Sequence, residues 1–264
     1  MSKPMIHVKD LTVSYGKKQD RVPAVCEVSF DVFAGECVGF IGANGAGKST
    51  TLKTLMGFTH ADSGIAEVCG HPAGDPEGRR SIGYLPEVAL YYPFMKAREL
   101  LHLYGGLGGM EKNALKAAVP KVLKLVGLEG KENDLLRTFS KGMQQRLGIA
   151  QALITEPELL VLDEVSSGLD PLGRYDLRQI ILHLKEEGRT IFFSSHELTE
   201  VESLCDRVIL IDRGRILREV TQAELHEIGK ERTLESFFIS EVRAGADTNG
   251  SAENIPAEEA PANV

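Results

Sequence analysis

The chain has 264 residues, 42% of them hydrophobic, and a formal net charge of -8, enough for one large domain or two small ones around a buried core. That acidic balance argues against a broadly basic surface, and nucleic acid is not expected as a partner. No run approaches the roughly 20 apolar residues of a membrane span, and "MSKPMIHVKD" lacks the apolar stretch of a secretory signal, so any membrane role is expected to come through a partner.

The first third reads as strands. "IHVKDLTVSY" and "CEVSFDVF" alternate apolar and polar residues as half-buried antiparallel strands do. "ECVGFIG" is a continuous apolar run that stops at glycine, the pattern of a buried parallel strand. "KSTTLKTLMG" follows as a helix ending at Gly57, and "SIGYLP" is a short strand closed by Pro86. From there to about Thr155 the apolar spacing becomes helical, in "KARELLHLYG", "ALKAAVPKVLKLVGL" and "GMQQRLGIAQALI". Pro120 is expected in a helix first turn or at a kink. Three apolar strands, "LLVLDE", "TIFFSSH" and "RVILIDRG", then alternate with helical segments, which points to an α/β fold with a parallel sheet covered by helices. The helical block is therefore an insertion into that core. After about Val220 two weak helices are expected. The second carries an apolar face of Leu234, Phe237 and Phe238 behind a Thr233 cap. Cys26, Cys37, Cys69 and Cys205 show no metal-ligand spacing and read as reduced packing residues of a cytosolic protein.

Three stretches carry chemistry. "GANGAGKST" matches the phosphate-loop pattern from Gly42 to Ser49, with a strand before it and a helix after. Gly42, Asn44, Gly45, Ala46, Gly47 and Thr50 bring backbone N–H groups toward phosphate oxygens. Lys48 supplies positive charge to the β and γ phosphates, and the Ser49 hydroxyl can ligate Mg²⁺. "LLVLDE" places Asp163 at the carboxyl end of a buried strand, where α/β sheets bind ligands and where its carboxylate reaches a Mg²⁺ shell. Glu164 follows, suited to polarise a water for attack on the γ-phosphate. "FSKGMQQRL" reads as a helix start with Ser140 as cap and Gly142 leaving N–H groups open, which makes it a ready anion site. It lies far along the chain from the phosphate loop.

In their order, these elements resemble the ATP-binding subunit of an ABC transporter over about residues 5 to 220. The resemblance implies a P-loop NTPase (RecA-like) core with an antiparallel β subdomain and an inserted helical subdomain. It divides the chain into an ATPase domain over 1–220, with core 1–86 and 156–220 and helical part 87–155. A helical extension over 221–240 and a disordered acidic tail over 241–264 would follow. It further implies that Tyr15 stacks on adenine, that Glu87 replaces a glutamine at the Mg²⁺ site and coupling surface, and that His196 in "SSH" contacts the γ-phosphate. Asp170 in "EVSSGLD" falls on the intersubunit loop. "FSKGMQQR" is similar to the family signature LSGGQ at Ser140 and Gly142 and departs from it at Phe139, Lys141 and Met143. In that family two ATPase subunits stack head to tail, so Ser140 would meet ATP held by another copy's Lys48 loop.

The implied cofactors are ATP and Mg²⁺. The implied partners are membrane-spanning permease subunits and a second ATPase subunit, with a homodimer favoured. The expected location is cytoplasmic, peripheral on the inner face of the membrane. "LPE", "SKGM" and "TLESFF" are similar to the export branch of the family. Two other readings stand beside this one. A non-transport ABC ATPase acting on ribosomes or DNA would usually carry two phosphate loops or long coiled coils. A P-loop metabolic kinase would need neither the signature nor "SSH".

Overall fold

The computed structural model describes residues 3–17, 20–197, 201 and 203–248. Two sheets and a set of helices share two apolar cores. The smaller sheet begins with β1 (Ile6–Tyr15) and β2 (Val22–Val32), which pair antiparallel. Their buried residues do not keep one parity: Ile6 and Val8 give way to Leu11 and Val13, and Val25 gives way to Val28 and Phe30. The switch falls at Asp10 (φ 49°) and Glu27 (φ 51°), where the ladder shifts register. Each adds a residue to its strand, so the apolar set stays on one face.

The larger sheet holds the site. Its strands are β3 (Cys37–Ile41), β6 (Ile82–Leu85), β7 (Leu159–Asp163), β8 (Thr190–Ser195), β9 (Arg207–Asp212) and β10 (Arg215–Thr221). Their order is β10-β9-β3-β8-β7-β6. All pairs are parallel except the β9–β10 hairpin at one edge. Every residue of β3, β7 and β8 is buried, because both faces of these strands are covered. On one face Phe40 and Phe192 meet Phe30 of the smaller sheet, with ring centroids 5.5 to 5.6 Å apart. Such contacts are worth about 0.5–1.5 kcal/mol each beyond area burial, and they fasten the two sheets together.

Helix α1 (Lys48–Leu55) leaves the end of β3. β4 (Ser63–Val68), β5 (His71–Pro72) and α2 (Pro76–Arg80) follow, none of them foreseen from the sequence. In β4 only Val68 is buried, so the strand lacks the alternation that reveals one. The hairpin strand β10 escaped notice for the same reason, with Val220 its one buried residue. The inserted helices are α3 (Ala97–Leu107), α4 (Lys112–Leu125) and α5 (Lys141–Leu153), and α6 (Pro171–Glu186) covers the sheet between β7 and β8. Pro120 lies inside α4 rather than in its first turn. Its position is exposed, so water can satisfy the carbonyl that loses its N–H partner.

The end of the chain departs from expectation. Helix α7 (Gln222–Glu231) starts at a Thr221–Glu224 capping box, and α8 (Leu234–Thr248) runs past residue 240 into the stretch expected to be disordered. Thr233 caps α8 by accepting the Ser236 N–H at 3.2 Å. Leu234 and Phe237 are buried, and the Arg218 and Arg232 guanidiniums lie over the Phe237 ring at 5.5 and 4.9 Å. Glu241 pairs with Arg218 at 3.6 Å and Gly245 packs on Leu217. Composition alone hid these contacts back to β10. The expected tail over 249–264 lies outside the described residues. Among the described residues no helix is long and apolar enough to cross a membrane.

Candidate functional site: a phosphate loop facing two carboxylates

The site is assembled where β3, β7 and β8 reach their carboxyl ends. Beyond β3 the chain makes a tight loop into α1. Gly45 (φ 81°) and Gly47 (φ 106°) adopt conformations that side chains resist. A Cβ on Gly47 would lie 2.6 Å from the Ala24 carbonyl, and one on Gly42 would collide with the Ile211 carbonyl. Around Gly45 the space is open, so that glycine is required by its φ alone. Lys48 is buried and folds back over the loop, donating to the Gly42 carbonyl at 2.6 Å and the Ala43 carbonyl at 3.0 Å. The first turn of α1 holds no acidic side chain and no side-chain cap, which suits an anion at a helix N-terminus.

Facing the loop stand the two carboxylates. Asp163 closes β7, and its Oδ1 accepts from the Ser49 hydroxyl at 3.1 Å and the Ser194 hydroxyl at 2.6 Å. Glu164 follows in a left-handed conformation, φ 48°, which costs a non-glycine residue about 1–3 kcal/mol. Its N–H reaches the Ser194 Oγ at 3.0 Å. Its carboxylate divides between two partners: Oε1 lies 3.1 Å from Lys48 Nζ, and Oε2 lies 2.6 Å from His196 Nδ1. A buried carboxylate is tolerable only when so paired. Beside the pair, the Tyr84 phenol is pushed up to about 12 by burial and then by the Asp163 charge, so it stays neutral.

These groups bound a cavity of about 420 Å³. Asn44, Gly45, Gly47, Lys48, Ser49 and Thr50 line one side, with Glu87, Glu164, Ser167 and His196 opposite. Ala46 is buried beneath the loop. Tyr15 stands at the rim, its hydroxyl donating to Thr50 Oγ1 at 3.3 Å and its side chain 46% exposed. The remaining sequence candidates lie outside the lining. Ser140 caps α5, accepting the Met143 N–H at 3.3 Å. Asp170 caps α6, accepting the Gly173 N–H at 2.7 Å. Gly142 borders the start of α6 near Gly173. One copy of the chain therefore unites the loop with the carboxylates and leaves the Ser140 end apart.

Sequence reasoning missed Ser194 and Ser167. Ser194 sits two residues before His196 in "SSH", and the signal was its place at the end of a buried strand beside Asp163. The donor set of Ser49 and Asp163, two hard oxygens 3.1 Å apart, fits Mg²⁺, which takes one or two protein ligands and completes its shell with phosphate oxygens and water.

Residues 25–167 match the family model described as ABC transporter. An uncharacterized ABC transporter ATP-binding protein of Synechocystis sp. is 46% identical over 207 residues, which is 78% of this chain. The match spans 58% of that relative's length. The bacitracin transport ATP-binding protein BcrA of Bacillus licheniformis is 42% identical over 219 residues, covering 82% of this chain and 69% of BcrA. A bacterial ABC transporter cassette solved as a dimer superposes with a TM-score of 0.75 at 25% identity, covering 83% of this chain and 99% of that one. Fold, loop and carboxylate wall thus agree with the sequence matches, and the chain belongs to the ATP-binding proteins of the ABC transporter family.

Proposed function

We propose that this chain binds and hydrolyses ATP to power export of a substrate through separate membrane-spanning permease subunits, working as a head-to-tail pair of ATPase subunits. The observation that carries this reading is the string Lys48–Glu164–His196, its lysine and glutamate buried, which lines one cavity with Ser49 while Asp163 accepts from the Ser49 hydroxyl. The loop N–H groups and Lys48 hold the phosphates, and Tyr15 at the rim takes the adenine. Ser49 and Asp163, with Glu87 across the cavity, would hold Mg²⁺, which adds positive charge beside the phosphates. Glu164 accepts the proton of the attacking water, and His196 orients that carboxylate while reaching the γ-phosphate.

Ser140 and Gly142 of a second copy complete the site over the γ-phosphate, with Asp170 on the loop between subunits. Supporting this half of the reading are their absence from the cavity of a single chain and the dimeric state of the related cassette. Export is favoured by the similarity to a Nod factor export ATP-binding protein of Burkholderia lata, 40% identical over 194 residues. The chain works at the cytoplasmic face of the membrane, held there by the permease, and residues 1–220 form its ATPase domain. Glu164→Gln tests the proposal. Turnover of the full chain is expected to fall about 10²- to 10⁴-fold, the usual contribution of a general base, with ATP binding retained and dimers accumulating. Turnover equal to that of the unmodified chain overturns it.

A further inference from the structure

Glu164 holds a left-handed backbone that a glutamate keeps only where its surroundings fix it. Three contacts act on the peptides around it. Its N–H donates to Ser194, with Oγ at 3.0 Å and the carbonyl at 3.2 Å. Its own carbonyl accepts the Ser167 N–H at 3.0 Å. One residue further, the Val165 carbonyl accepts the side-chain Nε2–H of Gln145 at 2.9 Å, and Gln145 is only 5% exposed. The first of these comes from β8 and the second from the loop itself. The third comes from α5, the helix that Ser140 caps.

A second contact joins the same helix to the same loop. The Lys141 ammonium lies over Gly168, where any Cβ would collide with it. Helix α5 therefore touches the stretch after Glu164 at two points, four residues apart along the helix and so on one face. Neither side chain lines the nucleotide cavity. Burying an amide at this depth is unfavourable unless it makes its hydrogen bond. An apolar side chain would have filled the space without that demand.

We propose that Gln145 is a positioning residue for ATP hydrolysis. By holding the Val165 carbonyl it fixes the backbone of Glu164, and it links the Ser140 end of α5 to the wall that carries the glutamate. Whatever engages the exposed start of α5 then bears on the Val165 peptide and, through a single residue, on the Glu164 carboxylate. The inference rests on the ATPase reading given above.

Gln145→Met keeps an unbranched stem of similar length and loses the donor. The full chain carrying it is expected to lose about 10- to 100-fold in kcat, since a misplacement near 1 Å costs up to about 10²-fold. KM for ATP and Kd for ADP stay within about twofold, because the groups that bind nucleotide are untouched. Amide hydrogen exchange over residues 165–168 quickens while that of α5 holds. Unchanged kcat with unchanged exchange overturns the proposal. So does a matching loss of kcat and ADP binding, which marks general packing damage. Glu164→Gln run in parallel separates the two readings. Full turnover in that variant removes the reading of Glu164 itself, whereas its loss beside an unaffected Gln145→Met removes only the role of Gln145.

Discussion

The phosphate loop with its carboxylate wall and the start of α5 are both built to meet an anion, and they are built differently. Around Lys48 the polar groups are buried and already paired: the ammonium with two loop carbonyls and Glu164, and Asp163 with two hydroxyls. At Ser140 the cap is exposed and its hydroxyl accepts the local Met143 N–H. The first region is preorganised by its own chain, so its parts are strongly coupled. The second needs an outside surface to become a site. The contrast predicts that changes in the first region act on a single chain, whereas changes in the second act on association.

The largest effect is expected at Lys48. Lys48→Ala removes a buried cation and leaves the Glu164 carboxylate with His196 as its partner among the described residues, and truncating one member of such a pair costs about 2–5 kcal/mol. ATP affinity should fall by roughly 30-fold or more, measured by titration calorimetry on the monomer. Retained affinity would show that the loop N–H groups suffice, and the first region would lose its claim to tight coupling. Ser194→Ala comes next. Its hydroxyl serves both Asp163 Oδ1 and the Glu164 N–H, and deleting a hydrogen bond to a charged group costs about 1.5–3 kcal/mol. A fall in turnover of roughly tenfold, with a lower Tm, is the expected result.

Ser140→Ala sharpens the comparison from the other side. Loss of an N-cap costs about 1 kcal/mol, read as a small drop in Tm. ATP binding by the single chain should be unchanged, while ATP-driven dimerisation of the Glu164→Gln background should be lost in sedimentation runs. Weakened binding by the monomer would place Ser140 in its own chain's site and erase the distinction.

How far the sequence revealed all this follows the same divide between local and long-range causes. The loop, the strand ending at Asp163 and the cap at Ser140 are local patterns, and the structure forms each of them as a strand end, turn or helix start. Ser194, Gln145 and the left-handed Glu164 were not legible. Each depends on a contact between segments 20 to 30 residues apart, for which no spacing rule exists. The extension of α8 to Thr248 was hidden for the same reason, since Arg218 and Leu217 hold it from β10.

Glu87 is where the two regions' logic gives the smallest effect. Its carboxylate lines the cavity opposite the loop, yet the residue is exposed and its segment lies outside the β7–β8 wall. An exposed charge is largely screened over a Debye length of about 8 Å at physiological salt, and glutamine keeps an oxygen that a Mg²⁺ shell could share. Glu87→Gln should therefore leave ATP affinity within about twofold, since surface charges of this kind are worth about 0–1 kcal/mol. The measurable change should be in the Mg²⁺ dependence of turnover, with half-saturation moving to slightly higher Mg²⁺ as one negative charge leaves the cavity. A collapse of ATP binding in that variant would mean that Glu87 belongs to the coupled set with Asp163 and Glu164. The preorganised region would then extend across the cavity to the strand that leads into the inserted helices.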